Sequence, residues 1–154
     1  SLSSAQLRDI YSGKVTNWKE VGGADGKIVV ISRDTSSGTF ECWQELIMKE
    51  ERVNPAALMQ ASNGAVVQAV SKNKNAIGYV GIGHLDKSIK GISVDGMAPS
   101  QENAASGQYT VTRLLYMNTK GEPQGITRGF VDYIFTPAGQ EIVSKAGYIP
   151  YVKK

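Results

Sequence analysis

The 154-residue chain holds one cysteine, Cys42, and one histidine, His84. A lone cysteine closes no intrachain disulfide, and inside a helical pattern it reads as a small buried thiol. A lone histidine cannot form a metal site by itself, and no Asp or Glu cluster has ligand spacing, so no metal or other cofactor is expected. No apolar run approaches the length needed to cross a membrane. The chain begins Ser1-Leu2-Ser3 with no signal peptide, which reads as a mature, cytosolic or trimmed form. There is no Gly-Lys-Ser/Thr of a P-loop and no Gly-x-Ser-x-Gly elbow. The net charge of +3 is spread thinly and forms no Lys/Arg stripe, which argues against nucleic acid as a partner. Internal repeats and low-complexity segments are absent too, and Lys153-Lys154 reads as a solvated tail. With 41% hydrophobic and 20% charged residues, the chain has the composition of a globular protein. Its length allows one core that buries roughly 70% of the unfolded surface.

The stretch Ile28 to Ile47 organises the rest. Lys27 to Ser32 (KIVVIS) is a β-branched run that suits a buried strand. Phe40, Trp43 and Ile47 then recur at helical spacing, with Leu46 beside them. Between the two lies Arg33-Asp34-Thr35-Ser36-Ser37-Gly38-Thr39. Ser36 or Ser37 stands where an N-cap belongs, and Gly38 and Thr39 open the first turn. The first N–H groups of a helix lack internal partners and lie at the positive end of its dipole. Gly38 lets a ligand come close to the backbone, Ser37 and Thr39 add hydroxyls, and Arg33 adds a planar cationic fork. A Ser-Gly-Thr alone is most simply a cap. Arg33 beside it shifts the reading to a site for a small tetrahedral oxyanion, since a cap does not need a guanidinium.

Along the rest of the chain, Ser3 to Gln6 forms a capping box ahead of Leu7, Ile10 and Tyr11, and Gly13 ends that helix. Trp18 anchors an irregular connection that runs to Gly22-Gly23. Asn54-Pro55 reads as a cap with proline at the first helical position. Ser62-Asn63-Gly64 starts a helix with Val66, Val67 and Val70 inward, and Asn63 either caps or faces the same cleft as Arg33. Ala76 to Gly81 is a short strand, and Ile89 to Val94 is another that closes at Asp95-Gly96. Helix and strand therefore alternate over residues 1–97, the pattern of an α/β lobe with a largely parallel sheet. Ser100 to Gly107 is a short capped helix or linker. Arg113 to Thr119, with Leu114 to Met117, reads as a buried strand. Ile126, Phe130 and Ile134 mark an amphipathic helix, and Thr136-Pro137 starts a last one that carries Ile142 and Val143 to Gly147. Tyr148 to Tyr151 is extended.

Several of these stretches together resemble the substrate-binding proteins of bacterial phosphate ABC transporters (PstS type). They are Leu7 to Gly23, Val30 to Phe40, Ala76 to Gly81, Leu115 to Glu122 and Phe135 to Pro150, and they occur in the family's order. The resemblance implies one lobe of a type II periplasmic-binding-protein fold, a mostly parallel sheet flanked by helices, over residues 1–107. Residues 108–154 would be the C-terminal segment of the other, incomplete lobe. It implies inorganic phosphate as ligand, held by Arg33, Ser37, Gly38 and Thr39, with Asp34, Ser36 and Asn63 behind them. It also implies a transporter permease as partner, a periplasmic or extracellular location, and no catalysis. Family members carry an N-terminal portion, and this chain starts after it. That portion supplies further donors and an aspartate that accepts the proton of hydrogen phosphate. No residue here matches that aspartate, which leaves phosphate and sulfate unseparated for this chain alone.

Half a cleft leaves its anion solvated on one side, so binding on the order of millimolar is expected. The apolar faces Ile126/Phe130/Ile134 and Ile142/Val143 then need a cover. They could fold onto the Ile28–Ile47 lobe or form a swapped homodimer through residues 108–154. Two rival readings remain. One is a sensor or scaffold that uses the same turn without transport. The other is a hydrolase with Ser36 or Ser37 as nucleophile and His84 as base.

Overall fold

A computed structural model of the chain describes residues 1–151; the Lys153-Lys154 tail lies outside the described residues. The chain divides into two compact units, Ser1–Thr112 and Arg113–Lys154.

In the first unit, β1 (Val29–Arg33) is the central strand. It pairs in parallel with β2 (Leu58–Gln60) on one side and β3 (Ala76–Ile77) on the other, giving the order β2-β1-β3. Parallel neighbours need crossovers, and helices supply them. The chain leaves β1 through α2 (Gly38–Trp43), which runs on as a π turn over Gln44–Met48, and leaves β2 through α3 (Asn63–Ser71). Val66 and Val67 of α3 are buried. A Cβ on Gly78 would meet Val66 Cγ1 at 2.6 Å and Val70 Cγ2 at 3.0 Å, so the close seat of α3 requires glycine there.

The core is completed by α1 (Ser4–Ser12). Its Ser3/Gln6 capping box forms, Leu7, Ile10 and Tyr11 are buried, and Gly13 ends it at φ 84°. The connection at Trp18 is more regular than expected: Asn17 caps a 3₁₀ turn over Trp18–Val21, and Trp18 Nε1 donates to Asn75 O at 3.0 Å. A short α4 (Gln101–Ala105) follows its Ser100 cap, and Tyr109 and Val111 pack against the core of this first unit.

Two expected elements of this unit are corrected. Asn54-Pro55 starts no helix. Asn54 Oδ1 accepts from Ala56 N–H at 2.9 Å and its carbonyl accepts from Ala57 N–H at 2.9 Å, a turn that delivers the chain into β2. Ile89 to Val94 forms no ladder. Val94 makes single bridges to Leu2 and Met97 around the Asp95-Gly96 turn, which does form, with φ of 50° and 84°.

The second unit holds α5 (Gly125–Ile134) and α6 (Pro137–Lys145), the latter capped by Thr136 Oγ1 accepting from Gly139 N–H at 3.2 Å. The strand expected over Arg113 to Thr119 does not form, and Leu114, Leu115 and Tyr116 are exposed. A strand needs a paired neighbour, and no described segment offers one. Both helices stand where the periodicity placed them, yet Ile126 is 94% and Phe130 62% exposed.

Candidate functional site

The site grows from the end of β1. Burial rises along that strand until Ser32 and Arg33 are enclosed. A buried guanidinium must have its donors satisfied. Arg33 Nε donates to Gln60 O at 3.1 Å, Nη2 to Ala61 O at 3.2 Å, and Nη1 to Asn63 Oδ1 at 2.9 Å. All three acceptors come from the link between β2 and the first residue of α3. The parallel register that sets Arg33 opposite Gln60 therefore also orients its side chain. A guanidinium has five N–H donors. Three are engaged in hydrogen bonds, so one on each terminal nitrogen makes none among the described residues. Asp34 Oδ2 lies 3.5 Å from Nη2 and shares that side of the fork.

Beyond Arg33 the chain turns tightly. Ser37 N–H donates to Asp34 O at 3.1 Å, and Ser36 N–H to Asp34 Oδ1 at 3.2 Å. The Ser36 hydroxyl bonds the same Asp34 oxygen. These bonds, the hydroxyl's first and the Arg33 charge after them, lower the pKa of Asp34 and keep it ionised at neutral pH. Ser37 is the N-cap, and its Oγ accepts from Thr39 N–H at 3.2 Å and Phe40 N–H at 3.3 Å. Of the two amides expected to face an anion, Thr39 N–H is thus shared with the cap. Gly38 N–H has no partner among the described residues.

Arg33, Ser37, Gly38 and Thr39 lie on one strand-turn-helix, with Asp34 and Ser36 forming its turn and Asn63 bonded to Arg33. This short segment carries hydroxyl, amide and guanidinium donors, a set that suits a small oxyanion. His84 sits exposed on a 3₁₀ turn, Ile82–His84, and no hydrogen bond joins it to Ser36 or Ser37 among the described residues. Cys42 lies half-buried on α2.

Sequence reasoning missed three hydrogen-bond partners of Arg33. The carbonyls of Gln60 and Ala61 carry no side-chain signal at all. Tyr79 carries a faint one, as the only aromatic in the small-residue run Ala76 to Gly81. Its Oη accepts from Arg33 N–H at 3.1 Å and lies 2.9 Å from Ser32 Oγ.

Comparison with known proteins gives a consistent result. The family described as "PBP superfamily domain" matches residues 1–138. Phosphate-binding protein PstS of Bacillus subtilis is 34% identical over 152 residues, which cover 97% of this chain and 50% of that protein. Its counterpart in Borreliella burgdorferi is 31% identical over 162 residues, covering 97% and 58%. Among solved structures, an ABC-type phosphate transport receptor from Vibrio cholerae aligns with a TM-score of 0.81 at 34% identity, over 97% of this chain and 63% of that one. A Clostridium perfringens protein described as a phosphate ABC transporter substrate-binding protein, solved with bound phosphate, aligns with a TM-score of 0.83 at 35% identity. That match also covers 97% of this chain and 63% of the other. The chain thus spans about half to three-fifths of the length of these relatives.

Proposed function

This chain belongs to the PBP superfamily, and from that premise we propose that it is a phosphate-holding part of the solute-binding component of a phosphate ABC importer. Inorganic phosphate sits at the start of α2. Arg33 donates from its two remaining N–H groups, Gly38 from its amide, and Ser37 and Thr39 from their hydroxyls. The observation that carries this is the fixed Arg33 fork one tight turn ahead of a helix start whose Gly38 amide has no partner among the described residues. A guanidinium held in place before the ligand arrives loses little freedom on binding, which favours a bidentate grip on a tetrahedral anion. The site binds and releases; it does no chemistry on its ligand. Its partner is the transporter permease, and its place is the outer side of the membrane, periplasmic or extracellular. No helix of the described residues is long and apolar enough to cross a membrane.

Calorimetric titration of the 154-residue chain tests the reading. Saturable phosphate binding with a Kd on the order of millimolar is expected, with sulfate close to it because donors alone do not separate the two anions. No saturation at about a hundredfold higher phosphate would overturn it.

The exposed faces of α5 and α6 favour one addition. Through residues 108–154 the chain pairs with a second copy in a swapped homodimer, covering Ile126, Phe130 and Ile142. Light scattering that stays monomeric at high concentration would contradict it. A sensor or scaffold role would keep the same anion turn and differ in docking, which permease pull-down distinguishes.

A further inference from the structure

Tyr79 is buried, and the anion reading gives it no role. Its ring stacks on Trp43 with centroids 4.5 Å apart and planes 7° apart, and Tyr11 tilts against both. Trp43 belongs to α2, the helix whose first turn carries Gly38 and Thr39. The Tyr79 hydroxyl points out of this aromatic cluster to the end of β1, where Oη accepts from Arg33 N–H at 3.1 Å. Burial raises the pKa of Tyr79, so the hydroxyl keeps its proton at neutral pH. Besides accepting from Arg33 N–H, Oη shares a hydrogen bond with Ser32 Oγ at 2.9 Å, in which either hydroxyl can donate. The Ser32 hydroxyl in turn makes a long contact, 3.5 Å, with the Arg33 carbonyl. One side chain therefore holds the strand end by its hydroxyl and the helix by its ring.

We propose that Tyr79 is a positioning residue of the anion site: it fixes the Arg33 backbone relative to α2, so that the guanidinium and the Gly38 amide address the same anion. This rests on the phosphate-binding reading of that site. The simpler alternative is a core tyrosine whose hydroxyl only satisfies a buried N–H. In that case its loss lowers stability and leaves the affinity of the folded protein unchanged, because affinity measured on fully folded protein does not respond to stability.

The experiment compares wild type, Tyr79→Phe and Tyr11→Phe by NMR titration with inorganic phosphate, at a temperature where all are folded. Tyr79→Phe keeps the ring stack and removes the hydroxyl. Tyr11→Phe removes a hydroxyl of the same cluster that bonds Ile31 O at 3.4 Å and does not reach Arg33. The expected result is a Kd raised about tenfold in Tyr79→Phe and less than about twofold in Tyr11→Phe. A Tyr79→Phe Kd within about twofold of wild type, with wild type binding normally, overturns the positioning role and leaves the site reading standing. A wild type with no saturable shifts sinks both. If Tyr79→Phe does not fold, Ser32→Ala removes the hydroxyl that pairs with Tyr79 Oη; about threefold weaker binding supports the proposal and an unchanged Kd overturns it.

Discussion

Replacing Arg33 with alanine separates what the guanidinium does for the anion from what it does for the fold. Three of its N–H groups are committed to Gln60 O, Ala61 O and Asn63 Oδ1, at 2.9–3.2 Å, and two make no hydrogen bond among the described residues, the ones proposed to hold the anion. A charge-assisted hydrogen bond contributes roughly 1.5–3 kcal/mol when desolvated. An open site is wet on its outer face, where an ion pair contributes only about 0–1 kcal/mol. Two bonds between those limits give about 1.5–3 kcal/mol for the ligand, a loss in phosphate affinity of roughly 10- to 150-fold. The fold loses less per bond, because Ala61 is exposed and Gln60 and Asn63 are half-buried, so water takes over the acceptors. About 1–3 kcal/mol of stability is expected to go, mostly from the cavity at the end of β1. Calorimetric titration with phosphate, run well below the variant's melting temperature, reads the first quantity and thermal unfolding the second. Arg33→Ala protein that is folded and binds within about twofold of wild type would refute the reasoning.

Three further outcomes follow from the same geometry. Ser37→Ala removes the cap that accepts from Thr39 and Phe40, so thermal unfolding should show a loss of about 0.5–2 kcal/mol, with weaker phosphate binding alongside it. Ser36→Ala removes the first cause of the low Asp34 pKa, so the Asp34 carboxyl should titrate nearer the ordinary value of about 3.9; an unchanged NMR titration midpoint would contradict this. The sign for stability follows from the depressed pKa: the contribution of Asp34 is present above the ordinary carboxylate range and disappears as pH falls through the lower folded value, so Ser36→Ala should flatten acid unfolding. Ile126→Asp, at a position 94% exposed, should leave the melting temperature of the monomer nearly unchanged while abolishing any concentration-dependent dimer seen by light scattering.

Local signals wrote much of the fold openly. The Ser3/Gln6 box, the Ser37 and Ser62 caps and the Thr136-Pro137 start each fix a helix through groups within a few residues, and each stands where it was read. The misreadings fall where strand pairing decides. Leu58–Gln60 has no alternation to betray it and becomes β2 only because Ile31, Ser32 and Arg33 lie alongside. Leu114 to Met117 has the apolar content of a strand and no described partner. The candidate site divides the same way. Arg33, Ser37, Gly38 and Thr39 were legible because turn chemistry is local in sequence. The Gln60 and Ala61 carbonyls were not, because any residue supplies a carbonyl and only the register puts those two on the guanidinium. Tyr79 was hidden for a similar reason: its hydroxyl meets Arg33 across 46 positions of sequence.

The most direct test of the whole account is a proton–nitrogen NMR spectrum of the chain titrated with inorganic phosphate at constant ionic strength. The Gly38 amide and the Arg33 side-chain N–H signals should move together and saturate with one Kd, since both donate to the same anion. Shifts confined to exposed lysines, with Gly38 and Arg33 stationary, would contradict it.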